Sequence, residues 1–169
     1  MATLTTRRLL LREMTADDLD DMAALLGDPE VMRYYPRSLT RSETLGWIEW
    51  NRRLYRDRGF GLWIMSARDG GEFVGDCGLT MQRVDGVEEI EIGYHVRADL
   101  QGRGFASEAA LACRDYARDV VRAKRLIAII NPENLPSQRV AEKIGLALEK
   151  RTTDWGAGMR EQVIYAGSL

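Results

Sequence analysis

The sequence predicts an α/β (mixed α+β) fold: a twisted, mixed but mostly antiparallel sheet of about seven strands with helices on both faces. Three observations carry this reading. Segments of strand and helix periodicity follow one another in the order β-α-α-β-β-β-α-β-α-β-β. Turns of the hairpin type, Asp69-Gly70-Gly71 and Asp85-Gly86, join consecutive strands. Arg125 to Ile130 is continuously apolar after its first residue, the pattern of a strand buried on both faces.

Arg7 to Glu13 reads as the first strand. Asp17 to Leu26 follows as a helix with Leu19, Met22, Ala23 and Leu26 on one face, and Thr15 is placed to cap it. Asp28-Pro29 breaks that helix, and Glu30 to Tyr35 adds one further turn. Thr40 to Arg56 is a second helix, with Leu45, Ile48 and Leu54 among its apolar positions. Three strands then run as a meander, from about Phe60 to Ala67, Glu72 to Met81 and Glu88 to Val96. A glycine turn, Gln101-Gly102-Arg103-Gly104-Phe105-Ala106, opens a long helix running from Ser107 to Val121. Its buried side is Ala106, Ala109, Ala110, Cys113, Ala117 and Val120. Asn131-Pro132 ends the apolar strand, Asn134 caps a short helix that runs to about Ile144, and Gly145 terminates it as C′. Leu146 to Thr153 and Met159 to Ala166 form a last hairpin around Trp155-Gly156-Ala157-Gly158.

A chain of 169 residues suits a single domain spanning 1–169 with a sizeable core. Hydrophobic residues at 45% and charged residues at 30% describe an ordinary globular protein, and a net charge of −2 gives no preference for nucleic acid. Leu9-Leu10-Leu11 is too short and too closely flanked by charge for a signal peptide, and no apolar run is long enough for a membrane span. Cys77 and Cys113 have no short-range partner, and the chain has one histidine, which speaks against a disulfide framework or a zinc site. The expectation is a cytoplasmic, metal-free domain with no membrane and no nucleic-acid partner.

The glycine turn is the strongest functional signal. A glycine-rich turn that opens a helix aims unpaired N–H groups at one point and adds the positive end of the helix dipole, which suits a phosphate. Arg103 adds a positive charge nearby. It is not a P-loop, because Phe105-Ala106 follows the last glycine where Lys and Ser or Thr are required. Nor is it a dinucleotide fingerprint, since the third glycine and the following acidic residue are missing. Gln101, Gly104 and Ala106 instead resemble the pyrophosphate-binding turn of the GNAT superfamily, the acetyl-CoA-dependent N-acetyltransferases.

The resemblance extends over nearly the whole chain, because the element order is that of GNAT domains. It is closest to the ribosomal-protein (Rim-type) N-acetyltransferases. The phrases that carry it are Pro29-Glu30-Val31-Met32-Arg33-Tyr34, Val74-Gly75-Asp76-Cys77-Gly78-Leu79, Glu91-Ile92-Gly93-Tyr94 and Ser137 to Leu146. The resemblance implies that the fourth and fifth strands splay apart and that acetyl-CoA enters the gap as co-substrate. Main-chain groups of Tyr94, His95 and Val96 would then hold the pantetheine arm, with a β-bulge near Gly93 creating the splay. An ordinary strand glycine is the other reading of Gly93. The pyrophosphate would rest on Gly102, Arg103, Gly104, Phe105 and Ala106, with Gln101 at the entry.

Acetyl transfer from a thioester to an amine needs a base for the amine, donors for the oxyanion and a proton for the departing thiolate. Glu89 and Glu91 share one face of their strand; Glu91 is the preferred base and His95 the alternative. For the acid, many superfamily members carry a tyrosine four residues before the glycine ending the last short helix, and that position is Ala141. Rim-type enzymes carry a serine earlier in the helix, here Ser137, on the face shared with Val140, Ala141 and Ile144. Two readings of Ser137 stay open: a hydroxyl at the sulfur, or a first-turn hydroxyl bonded to nearby backbone. Asn134 is a cap by position and a pantetheine contact by resemblance. A covalent route through either cysteine lacks a paired histidine.

The acceptor wall implied by the resemblance includes Tyr34, Tyr35, Trp47, Trp50 and Trp155. Arg52, Arg53, Arg56 and Arg58 read as a solvated helix face. The expected partners are coenzyme A and an amine, either a protein N-terminus or a small molecule, and a homodimer is left open. The rival reading is a non-catalytic acyl-CoA-binding GNAT module, to which Ala141 gives some footing.

Overall fold

The structure, a computed structural model, describes residues 3–155 and 160–169. The described strands are β1 (Thr3–Thr5), β2 (Leu9–Glu13), β3 (Leu62–Ala67), β4 (Phe73–Val84), β5 (Val87–Val96), β6 (Arg125–Ile130), β7 (Ala147–Thr152) and β8 (Gln162–Ser168). They form one sheet in the order β1-β2-β3-β4-β5-β6-β8-β7, in which only the β5–β6 pairing is parallel. The sequence reading differs at the N-terminus, where Thr3–Thr5 adds a strand against Leu10–Arg12. Three residues are too few to show a period, so only pairing reveals it. The added strand makes the fourth and fifth predicted strands the fifth and sixth of the sheet. The expected turn at Gly156-Ala157-Gly158, and Met159 after it, lie outside the described residues.

Helices α1 (Leu19–Gly27) and α2 (Arg41–Arg58) cover one face, and α3 (Phe105–Tyr116) and α4 (Leu135–Lys143) cover the other. Alternation along β3 shows why both faces need cover: Leu62 and Ile64 pack with Met22, Leu25, Leu26 and Ile48, whereas Trp63 and Met65 pack with Ala109, Ala110 and Cys113. Helix α2 starts in a capping box, with Thr40 Oγ1 accepting from the Glu43 N–H at 3.2 Å and Glu43 accepting from the Thr40 N–H at 2.8 Å. It ends at Gly59, whose φ of 76° suits only glycine without strain. Its inward positions are Thr44, Ile48 and Asn51, while Leu45 faces solvent; Asn51 Oδ1 accepts from the Leu62 N–H at 2.8 Å and so ties α2 to β3.

In α3 the predicted face holds as far as Ala117. The last turn, Ala117–Val121, is then a π turn. It takes up an extra residue, so Val121 rather than Val120 packs on the core, and Val120 is left 60% exposed. No bulge occurs at Gly93, which pairs in register with Gly78; the irregularities lie at Met65/Ser66 and Leu148/Lys150. Gly78 has its own reason to be glycine, because a Cβ there would collide with the Gly61 carbonyl of β3's entry. The splay therefore arises on the other edge of β5, from β6 leaving it.

Candidate active site

Strands β5 and β6 are in register at a single pair, Glu91 with Ile127. Beyond that pair they diverge, and the opening between them is a cleft of about 570 Å³. The segment 30–36 forms one wall, the turn 101–107 and helix α4 form another, and Trp155, Arg160 and Gln162 close a third. Of the predicted site residues, Glu91, Tyr94, His95, Val96, Gln101, Gly102, Gly104, Phe105, Ala106, Asn134 and Ser137 all line this one space. Arg103 does not: its guanidinium turns back to the Asp99 carbonyl at 3.2 Å. Positive charge on the α4 side comes instead from Arg139 and Lys143, which the sequence reading missed and which share a face at i, i+4.

The glycine turn is held from outside the cleft. Gly102 and Gly104 take φ of 75° and 82°, a left-handed backbone that turns the chain into α3. Arg8 Nη1 donates to the Arg103 carbonyl at 3.0 Å, and Glu108 in the first turn of α3 binds Arg8 Nε at 2.7 Å and Thr6 Oγ1 at 2.6 Å. Gln101 Nε2 donates to the Val96 carbonyl at 3.1 Å, linking the turn to the end of β5. Gly102 and Gly104 both line the cleft, and a Cβ on Gly102 would meet nothing within 4 Å. Open space, a helix N-terminus and basic side chains across the cleft fit a phosphate-bearing co-substrate.

Glu91 reaches across the splay. Its carboxylate accepts from Thr80 Oγ1 at 2.8 Å, with further hydrogen bonds from Gln82 and the Ile129 main chain. Burial raises its pKa from 4.5 to about 7, against the lowering effect of those hydrogen bonds and of His95. A carboxylate near neutrality is suited to take a proton from an ammonium group. Glu89 is not an equivalent candidate, because Arg125 Nε pairs with it at 3.1 Å.

His95 is committed on both ring nitrogens. Nδ1 lies 2.7 Å from Asp76 Oδ1 and Nε2 lies 2.8 Å from the Tyr35 hydroxyl. Burial alone would lower the imidazole pKa, but the fully buried Asp76, with Glu91 beyond it, holds it above the ordinary value. The His95 N–H is also used, donating to Asp76 Oδ1 at 3.1 Å. The expected main-chain role of His95 thus has its donor turned toward β4, leaving Tyr94 and Val96 as the β5 residues beside the gap. The Tyr35–His95 bond and the Asn131 Nδ2 bond to the Tyr34 carbonyl at 3.2 Å fasten the segment 30–36 across the cleft. Trp47 packs edge-on to His95 and beside Trp50, and neither tryptophan lines the cleft. Arg52, Arg53, Arg56 and Arg58 are exposed on α2, as a solvated face requires.

On α4, Asn134 Oδ1 accepts from the Ser137 N–H at 3.1 Å, the cap bond expected of it. The Ser137 hydroxyl does not bond its own helix backbone. It lies 3.0 Å from the Tyr94 hydroxyl, which also donates to the Ser137 carbonyl at 2.9 Å. Cys77 and Cys113 come within 3.6 Å of each other, fully buried and away from the cleft; burial first, then Cys113, pushes the Cys77 thiol up, so it is inert. Among the described residues no cluster of His, Cys, Asp or Glu could hold a metal ion.

The comparisons with known proteins agree with this geometry. Residues 8–147 match the model of the acetyltransferase (GNAT) domain family. The uncharacterized protein YkkB of Bacillus subtilis is 39% identical over 90% of this chain and 89% of its own length. The uncharacterized N-acetyltransferase YnaD of the same organism is 31% identical over 86% of this chain and 83% of its own. RimJ of Mycobacterium smegmatis, solved in complex with CoA-disulfide, superposes with a TM-score of 0.78 over 98% of this chain and 86% of its own, at 21% identity. The chain belongs to the GNAT acetyltransferase family and is an acetyl-CoA-dependent N-acetyltransferase, with Rim-type enzymes among its structural neighbours.

Proposed function

We propose that this enzyme transfers the acetyl group directly from acetyl-CoA to a free amine, with Glu91 as general base and no covalent acetyl-enzyme. The acceptor is a protein N-terminal α-amino group or a small-molecule amine, and the reaction takes place in the cytoplasm without a metal. One observation carries the reading: a single cleft has a phosphate-shaped turn at one end and a carboxylate poised near pH 7 at the other. In this reading main-chain groups of Tyr94 and Val96 hold the pantetheine arm. The N–H groups of Gly102 to Ala106 hold the pyrophosphate, with Arg139 and Lys143 adding charge across the cleft. Glu91 takes a proton from the ammonium form of the acceptor and passes it to water; the nitrogen then attacks the thioester carbonyl and gives up a second proton as the carbon–sulfur bond breaks, and CoA leaves as the thiol, so that one proton is released overall. The walls at Tyr34, Tyr35 and Trp155 would orient the acceptor. No helix among the described residues is long and apolar enough to cross a membrane.

CoA release measured against a panel of N-terminal peptides, polyamines and aminoglycosides tests the reading. Release that rises with one class of amine is expected. Slow release that no amine accelerates would overturn direct transfer.

Ser137 gives a second expected outcome. Its hydroxyl faces the cleft rather than its own helix, so Ser137→Ala should lower kcat roughly tenfold or more while acetyl-CoA affinity changes little. Steady-state kinetics with calorimetric titration of acetyl-CoA would show it. An unchanged kcat with only a drop in Tm would return Ser137 to a structural role.

A further inference from the structure

Asp76, His95 and Tyr35 form a chain that runs from the sheet to the wall 30–36. Its inner end is a carboxylate with no exposed surface. Asp76 Oδ1 accepts from the His95 N–H at 3.1 Å and lies 2.7 Å from ring Nδ1, while Oδ2 is buried with no hydrogen-bond partner among the described residues. A buried carboxylate is costly unless a cation balances it, and His95 is the group placed to do so. The ring is faced by Asp76 from β4, Tyr35 from the segment 30–36, Glu91 from its own strand and the uncharged Trp47 indole from α2. Burial opposes a charge on the imidazole, but Asp76 and then Glu91 outweigh it and raise its pKa above the ordinary value. An imidazolium has two donors and no acceptor. Nδ1–H then donates to Asp76 and Nε2–H to the Tyr35 oxygen, so the phenol's own proton points elsewhere. Burial, then Glu91 and Asp76, raise the Tyr35 phenol, which therefore keeps that proton. Beside a neutral His95 the direction reverses, and the phenol donates to Nε2.

We propose that a charged Asp76–His95 pair turns the Tyr35 hydroxyl proton into the cleft to bind an oxygen of the acceptor, which makes the acceptors amines with an oxygen on the carbon next to the one bearing nitrogen. This rests on the acetyl-transfer reading. Tyr35 and Glu91 line the same cleft and act on each other electrostatically. An acceptor whose nitrogen lies at Glu91 therefore brings its neighbouring atoms to the phenol. Peptide N-termini, amino-acid amides and 2-amino alcohols carry an oxygen there; polyamines do not. Tyr35 is the residue that touches the acceptor. Asp76 and His95 are positioning residues, and their effect is the direction of one O–H bond.

Nitrogen NMR of the imidazole tests the charge without ambiguity, because the chain has one histidine and tag-free protein adds none. At about pH 6.5 an ordinary imidazole is half neutral, whereas the wild-type ring should be protonated on both nitrogens. Asp76→Asn keeps an oxygen for the His95 hydrogens and removes the charge, so its ring should be neutral at the same pH. Turnover is then compared for alaninamide and 2-aminobutane, amines of similar shape of which the second lacks the oxygen. Tyr35→Phe and Asp76→Asn should each cut the ratio of their kcat/KM values about tenfold, with KM for acetyl-CoA nearly constant. Referring each ratio to wild type cancels the different basicities of the two amines. A neutral His95 in the wild type would overturn the proposal. So would a ratio that Tyr35→Phe leaves as it was, the result of a wall that only holds its shape, or CoA release stimulated by polyamines alone. Should Asp76→Asn not fold, the wild-type spectrum and the Tyr35→Phe ratio decide. Absence of release with any amine of the wider panel would overturn acetyl transfer instead, and the ring spectrum would still judge the Asp76–His95 pair.

Discussion

Glu91→Gln should lower turnover at pH 7 by about 10²–10⁴-fold, the usual contribution of a positioned general base. The loss should shrink at alkaline pH, where the acceptor is already a free amine, and acetyl-CoA affinity should change little. In the wild type, kcat/KM should rise with pH through a limb near 7, because burial holds the carboxyl at about 7 and only its ionised form can accept a proton. The same shift has a consequence for stability. The folded state favours protonated Glu91, so the stability contributed by that form is complete below about 4.5, the unfolded value, and is lost as pH rises through about 7. Above that window the native protein carries a charge that its surroundings oppose. The neutral glutamine removes it, so Glu91→Gln should be more stable than wild type at pH 8, by about 1–2 kcal/mol after allowance for water at the half-buried site. The two proteins should have nearly equal stability at pH 4. Thermal melts at both pH values, beside pH–rate profiles, check both sides. An inactive variant that is also less stable at pH 8 would mean that Glu91 holds the β5–β6 junction instead of acting as base.

Residues that signal through neighbours in sequence were readable before the structure, and residues that signal through distant partners were not. The glycine turn, the cap at Asn134 and the apolar strand Arg125–Ile130 each state their role within a few positions, and each is found where it was expected. Thr3–Thr5 is too short to announce a strand, and the π turn at Ala117–Val121 has no compositional mark. Within the site, periodicity put Glu91 on the strand face opposite Ile90 and Ile92, and the structure places it in the cleft. What suits it to the proposed role of base is burial beside Thr80 and the β6 main chain, which pattern alone does not reveal. The Asp76–His95–Tyr35 chain joins residues 19 and 60 positions apart, and Tyr94 meets Ser137 across 43. Such convergence is set by which strands neighbour which helices, so it emerges only once the sheet order is known. The sequence reading therefore valued Tyr94 for its backbone, whereas in the folded chain its hydroxyl also ties β5 to α4 at Ser137.

Gly104→Val should abolish measurable acetyl-CoA binding, a loss of at least about 100-fold in affinity, while the protein stays folded. Gly104 is the N-cap residue of α3 with φ of 82°, a conformation that costs a β-branched residue about 1–3 kcal/mol. Space around the new Cβ is not the obstacle, since its nearest neighbour would be Arg8 Nη2 at 3.5 Å, an ordinary contact at the end of a flexible side chain. The obstacle is direction. To escape the strain, valine must swing φ to negative values, and that rotates the N–H groups of Phe105, Ala106 and Ser107 away from the point they share. If the left-handed backbone is kept instead, the strain stays in the turn and weakens its hold on the proposed phosphate. The anchoring of the turn through Arg8, Thr6 and Glu108 lies outside the cleft and remains to hold the fold. Gly104→Ala separates the two effects: it carries the same conformational penalty with one methyl, and should bind acetyl-CoA more weakly than wild type but measurably. Calorimetric titration of both variants, each shown folded by circular dichroism and its melting transition, is the measurement. Wild-type affinity in folded Gly104→Val would separate the turn from phosphate recognition and leave the cleft without its cofactor anchor.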